Sequence, residues 1–207
     1  MPTDAKHICD SGQRSCINAD WSPYRISPIS GKDSVLWYAL YVKPRYEKKV
    51  ASRLQEMGFE VCVPTQVICR QWSDRRKKIE KVLFERYVFV ATNQKRKHEV
   101  FLAGHIYRFV QSQGKAIALS PKEIELIQRL ATCHESVDIS HAAFTPGKEV
   151  EIIRGTLRGF RGTVISVQGK SKVQLTLPGL GFFAQVEIDL VSLQWLENKS
   201  PKSLLCS

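Results

Sequence analysis

The chain has 207 residues, 43% hydrophobic and 25% charged, with a formal net charge of +11. That is the make-up of a globular protein with enough length to bury one or two cores. No run of about 18 apolar residues is present, and the stretch from Met1 to Cys16 lacks the apolar centre of a signal peptide, so a cytoplasmic protein without membrane contact is expected.

Residues 1–33 are rich in Ser, Pro, Asp and Gly and show no hydrophobic period; Trp21 and Tyr24 are their only aromatics, and a flexible arm is expected there. "VLWYALYV" (35–42) reads as a buried strand. A helix follows over 46–57, with Val50, Leu54 and Met57 as its apolar stripe, and Gly58 ends it. "FEVCVP" (59–64) is a second strand. The basic run 70–81 lies between Val67-Ile68 and Val82, the pattern of an extended hairpin arm carrying Trp72, Arg75, Arg76 and Lys77. "RYVFVA" and "IYRFVQ" (106–111) are the next strands. In "LFERYVFV" (83–90), strict alternation sends Phe84, Val88 and Val90 to one face and Tyr87 and Phe89 to the other. From these residues alone the second face is either ordinary core or a surface left for another molecule.

"SPKEIELIQRLA" (120–131) opens as a capped helix: Ser120 at N-cap, Pro121 at N1, Glu123 completing a capping box, and Ile124, Ile127 and Leu130 as the inner stripe. This order of elements gives an α+β sandwich over 34–132, an antiparallel sheet with flanking helices. Residues 133–145 read as a linker. From 146 to 197, short alternating strands with Gly- and Pro-bearing turns indicate a small β-barrel, and 198–207 a tail.

The charge is localised. Lys43, Arg45, Lys48, Lys49 and Arg53 stand against Glu47; Arg70, Arg75, Arg76, Lys77, Lys78 and Lys81 against Asp74 and Glu80; then comes Lys95-Arg96-Lys97. These three tracts carry the entire excess, which points to a polyanionic partner. Arg45, Lys49 and Arg53 are spaced four apart and would line one helix face, an arrangement that costs the helix slightly and suits a phosphate backbone. The other reading of each tract is a solvated basic surface. Cys9, Cys16, Cys62, Cys69, Cys133 and Cys206 include no C-x-x-C pair, and Cys133-His134 with His141 does not give the tight ligand pairs of tetrahedral zinc, so unpaired thiols and no metal are expected. No phosphate-binding Gly loop, G-x-S-x-G elbow or H-E-x-x-H occurs. A non-enzyme without cofactor is expected.

"WYALYVKPRYEKKV", "KKIEKVLFERYVFV" and "RFVQSQGKAIALSPKEI" together resemble the N-terminal domain of the NusG family of transcription elongation factors, and "GKEVEIIRGTLRGFRGTV" (147–164) resembles that family's C-terminal KOW motif. The basic hairpin and "KEIELIQRL" are most similar to specialised operon-specific antiterminators of the RfaH and UpxY kind. The resemblance implies a socket for the β′ clamp helices of RNA polymerase made by Tyr41, Phe84, Tyr87 and Phe89, with Phe109 and Ile124 beside them and left uncovered by the fold. It implies that Lys43, Arg45, Lys49 and Arg53, with Lys95, Arg96, Lys97 and His98, meet the non-template DNA strand. It assigns the loop of Arg158, Phe160 and Arg161 to a second partner, a ribosomal protein or the termination factor Rho, and implies a monomer that reduces pausing and termination in a long polysaccharide operon. Two departures stand out: Glu85-Arg86 replaces the family's Pro-Gly or Pro-Asn, and Gly155-Thr156 replaces Gly-Pro. The alternative, from another class, is a KOW-containing RNA-binding protein of ribosome assembly or translation.

Overall fold

Strand β1 (Leu36–Val42) is apolar almost throughout because both of its faces are covered. The computed structural model describes residues 34–71, 76–133, 135–140, 147–168 and 170–196, with the side chains of 68–71, 76–78, 166–168 and 170 outside that description. After β1 come α1 (Glu47–Glu56), β2 (Glu60–Cys62), β3 (Thr65–Gln71), β4 (Arg76–Val82), β5 (Tyr87–Thr92), a 3₁₀ helix (Glu99–Ala103) and β6 (Ile106–Phe109). A short hairpin of β7 (Gln111–Ser112) and β8 (Lys115–Ala116) leads to β9 (Ala118–Leu119) and α2 (Pro121–Thr132). The main sheet is antiparallel in the order β2-β5-β1-β6, with β9 also on β1.

The sheet sorts its side chains by the period of two. Tyr38, Leu40, Val42, Val88 and Val90 face α1, where Val50, Ala51 and Leu54 meet them. Trp37, Ala39, Phe89 and Ala91 face the other way, towards Ile124, Ile127 and Leu130 of α2. α1 stops where expected: Gly58 takes φ 79, and its N–H donates back to the Gln55 carbonyl. α2 starts with the expected capping box, Glu123 N–H donating to Ser120 Oγ and Ser120 N–H to Glu123 Oε2. β3 and β4 form the predicted hairpin arm, paired from Thr65–Val82 out to Gln71–Arg76. Trp72 and Arg75 lie outside the described residues, as do residues 1–33 and the tail.

The expected alternation fails at Phe84. Phe84 packs with Phe89 rather than on the side of Val88 and Val90. The cause is a tight turn in which Tyr87 N–H donates to the Phe84 carbonyl and Arg86 adopts φ 69. The turn takes Glu85 and Arg86 out of the strand period, so counting by twos across them gives the wrong face. Arg86 thereby fills the left-handed position that Gly or Asn occupies most easily.

The predicted linker also needs correcting. Within it, β10 (Val137–Ser140) pairs with β14 (Phe182–Ile188) from Val137–Val186 to Ser140–Phe183. "VDIS" is too short to signal a strand by itself; it becomes one by completing a sheet edge. With β11 (Glu149–Ile152), β12 (Arg161–Gln168), β13 (Lys170–Leu177) and β15 (Leu193–Trp195), the order is β10-β14-β13-β12-β11-β15, all antiparallel. Among the described residues this is a six-stranded sheet, without the β15–β10 pairing that would close the expected barrel. Its alternating inner residues, such as Phe182, Ala184, Val186 and Ile188, belong to the same apolar cluster as Phe84, Phe89 and α2.

Candidate functional site

Tyr41 sits between Tyr87 on β5 and Arg108 on β6 by register. Its ring lies 5.6 Å from that of Tyr87 and 5.9 Å from that of Tyr107. Tyr107 reaches it because the β1–β6 ladder bulges between Tyr41 and Val42, a device that re-aims side chains. Phe84 and Phe89 pack edge to face at 5.5 Å behind this group. The sheet thus gathers Tyr41, Phe84, Tyr87 and Phe89 on one face, with Ile124 in the same cluster. Phe109 does not join them. It pairs with Leu40 in register, so it points to the α1 side, where it contacts Tyr38 and Phe101.

The socket is not open as expected. Phe84 and Phe89 are 1% and 0% exposed, and Phe182 of β14 lies 5.7 Å from Phe84 and 5.1 Å from Tyr87, both edge to face. The protein's own C-terminal sheet covers the rings. Burial, aided by Tyr41, pushes the Tyr87 hydroxyl pKa up, against the pull of Arg108 and Arg86. Polar contacts from around α2 hold the cover. Glu123 uses Oε2 for the capping box and Oε1 to accept from Gly179 N–H at 2.7 Å. Arg129 donates to the carbonyls of Thr156 (3.2 Å) and Arg158 (2.9 Å) and lies over the Phe160 ring. Gln66 Nε2 donates to the carbonyls of Cys133 and Glu135. Of the predicted second-partner loop, Arg158 and Phe160 are therefore engaged by α2, and Arg161 pairs with Glu151.

The basic residues divide into two groups. Lys43 and Lys49 are exposed, both over the Tyr46 ring, whose centre lies 4.2 Å from that of the tilted His105 ring. Arg53 joins them from the next turn of α1 while donating to the Ala103 carbonyl. Arg45 precedes the helix with φ 65, so only Lys49 and Arg53 share the helix face. Partial desolvation and then the cations Arg53, Lys43 and Lys49 lower the His105 pKa. In the second tract, Arg96 stacks on Phe59, pairs with Glu99 and donates to the Met57 carbonyl, while Lys97 lies 4.0 Å from the Tyr38 ring centre. These two side chains tie the 3₁₀ segment to the domain; Lys95 and His98 are exposed beside them. Sequence reading did not single out Tyr46, Tyr107, His105 or Phe182 as site residues: Tyr46 and Tyr107 lie inside segments read for their fold, and no local spacing marks His105 or Phe182.

The base of the hairpin arm is held by Glu80, which pairs with Lys48 and accepts from Thr65 Oγ1. The Lys48 bond leads in lowering the Glu80 pKa, against a desolvation that raises it. Arg76 and Lys77 lie on β4 opposite Gln71 and Arg70. A cavity of ≈ 80 Å³ lies between Cys133, Glu135, Ile152, Arg154 and Glu187, and burial pushes the Cys133 thiol up to about 12. Among the described residues no cluster of His, Cys, Asp and Glu fits a metal ion, and no helix is long and apolar enough to cross a membrane.

The family model described as "Transcription termination factor nusG" matches residues 36–128. The chain is 28% identical over 171 residues to the transcription termination/antitermination protein NusG of Pasteurella multocida, covering 75% of this chain and 93% of that one. It is 25% identical over 172 residues to the NusG of Pseudomonas aeruginosa, covering 76% and 97%. Among solved structures, one titled "Domain interaction in Thermotoga maritima NusG" superposes with a TM-score of 0.50 at 23% identity, covering 79% of this chain and 98% of that one, a likeness of fold.

Proposed function

This chain belongs to the NusG family, and we propose that it is a non-enzymatic transcription termination/antitermination factor that docks on RNA polymerase through the Tyr41–Phe84–Tyr87–Phe89 face. The carrying observation is that this aromatic face is covered by a separate sheet through Phe182, with polar contacts that water can replace, rather than by helices of its own sheet alone. Rigid rings supply large buried area at low entropic cost, and tyrosines tolerate the wet state between partners. The docking partner is the β′ clamp helices, and the C-terminal sheet, read as a curved KOW barrel, leaves the face when they bind. Its departure also frees Arg158 and Phe160 for a ribosomal protein or Rho.

Lys43, Lys49 and Arg53, with Arg45 nearby, hold the non-template strand, where each neutralised phosphate releases a counterion. The hairpin arm is anchored at its base to α1 by Lys48 and Glu80. A factor that binds a closed polymerase clamp better than an open one shifts the enzyme out of paused states; equal affinity for both would shift nothing. A specialised factor of this kind serves a long polysaccharide operon.

The test is retention on immobilised core RNA polymerase without RNA. Tyr87→Ala and Phe84→Ala are each expected to weaken retention by about tenfold or more, the scale of an aromatic anchor. Retention equal to that of the native chain in both variants overturns the docking face. For the basic surface, Lys49→Glu with Arg53→Glu is expected to lower affinity for a transcription bubble and flatten its salt dependence.

A further inference from the structure

At the rim of the aromatic face lie two guanidinium groups that form no ion pair among the described residues. The Arg86 guanidinium carbon is 4.5 Å from the Tyr41 ring centre and that of Arg108 is 5.8 Å from it. Arg86 Nε is buried and has no hydrogen-bond partner among the described residues. The carboxylate next to Arg86 is engaged with its backbone and not its guanidinium: Glu47 Oε1 accepts from the Arg86 backbone N–H, and Glu47 is itself buried. Among the described residues, neither Arg86 nor Arg108 has a carboxylate partner. A buried, unpaired donor on a cation is a cost that folds keep low, and here it stands beside a second cation and an exposed Tyr107.

We infer that Arg86 and Arg108, stacked on Tyr41, form a receptor for a carboxylate carried by the protein segment that docks on this face. The inference rests on the docking reading above and adds the chemistry of the partner: an acidic segment whose apolar side covers Phe84 and Tyr87 while one Asp or Glu reaches the two guanidiniums. Three features favour it. Stacking on the ring restrains Arg86 before the partner arrives, so less side-chain entropy is lost on binding. The planar guanidinium offers paired N–H donors that match a carboxylate. The flanking surface is aromatic and continuous with an apolar core, which suits a protein more than a nucleic-acid backbone; the exposed lysines gather instead around Tyr46 and His105.

The experiment compares the native full-length chain with an Arg86→Asn/Arg108→Gln variant for binding to core RNA polymerase across a salt series, and to single-stranded DNA in parallel. Asn accepts the left-handed backbone of position 86, so this variant removes both charges without straining the turn; a melting temperature no lower than that of the native chain checks the fold. The expected result is polymerase affinity lower by about tenfold at low salt, a shallower salt dependence, and unchanged DNA affinity. Unchanged polymerase affinity and salt slope, with Tyr87→Ala still weakening binding, overturns the receptor and leaves the docking reading standing. A loss confined to DNA binding overturns it in favour of a phosphate site. If neither the native chain nor a Phe182→Ala variant with a loosened cover binds polymerase, the docking reading falls and the receptor falls with it.

Discussion

Arg86 shows how one residue sets the geometry of this face. Its φ of 69 costs a side-chain-bearing residue about 1 kcal/mol or more, which a glycine or asparagine avoids or reduces. Comparing Arg86→Asn with Arg86→Ala isolates this strain, since both truncate the guanidinium. The Asn variant is expected to be more stable to urea by about 0.5–1 kcal/mol. Equal stabilities would mean the turn relaxes. The sequence marks Glu85-Arg86 as an unusual turn, but counting alternation across it misplaces Phe84. Phe109 is misplaced for a related reason: its register partner is Leu40, and register between distant strands is not a local property of the chain. Cys133 gives a second check at this scale. Burial lifts its thiol from the ordinary 9.0 to about 12, so the thiolate, already the minor form of an ordinary thiol at pH 8, becomes far scarcer in the native protein. The stabilisation this brings is complete below 9.0 and is lost as pH rises through about 12. Alkylation of Cys133 by iodoacetamide at pH 8 is expected to be slow in the native protein and rapid in urea; equal rates would place the thiol in water.

Elements were legible in the sequence wherever their signals are local. α2 declares itself through S-P-K-E and an inner stripe of Ile and Leu, and the β3–β4 arm through a basic run between β-branched residues. β10 was not legible, because four residues inside a polar stretch become a strand only when β14 lies alongside. α2 also has a role that its own sequence does not announce, since Glu123 caps the helix and holds the C-terminal sheet at once. The fit at Gly179 is close: a Cβ there would stand 2.9 Å from Glu123 Oε1. The two roles separate by mutation. Ser120→Ala removes the cap and is expected to cost about 1 kcal/mol. Glu123→Ala removes the returning half of the capping box and also the Gly179 bond, so amide exchange at Gly179 is expected to accelerate in this variant and not in Ser120→Ala. Identical exchange in the two would show that Glu123 serves only the helix.

Across the whole molecule, the apolar cluster that passes from β5 through α2 into β14 poses a competition. A strand apolar on both faces tells the reader that both faces are covered, but not by what; "GFFAQVEI" reads as an ordinary strand, and nothing in it names Phe84 and Tyr87 as the contacts of Phe182. If the C-terminal sheet and the polymerase want the same rings, the apparent affinity for polymerase is the intrinsic affinity reduced by the fraction of molecules with the face free. A cover favoured by about 2.7 kcal/mol lowers that affinity about a hundredfold. Loosening the cover must therefore act with opposite sign on two measurements. Phe182→Ala removes the ring that meets both Phe84 and Tyr87, so the free protein is expected to lose a few kcal/mol of stability, on the scale of about 3 kcal/mol for a large-to-small change. Polymerase affinity is expected to rise, by about tenfold if half of a 2.7 kcal/mol cover is lost. Arg129→Ala, which severs the polar ties to Thr156 and Arg158 and the ring contact with Phe160 along with the ion pair to Glu125, leaves Phe182 in place and should move both measurements the same way by less. A Phe182→Ala protein that is less stable and also binds polymerase more weakly would mean that Phe182 belongs to the docking surface itself, and that the partner seats on both domains together.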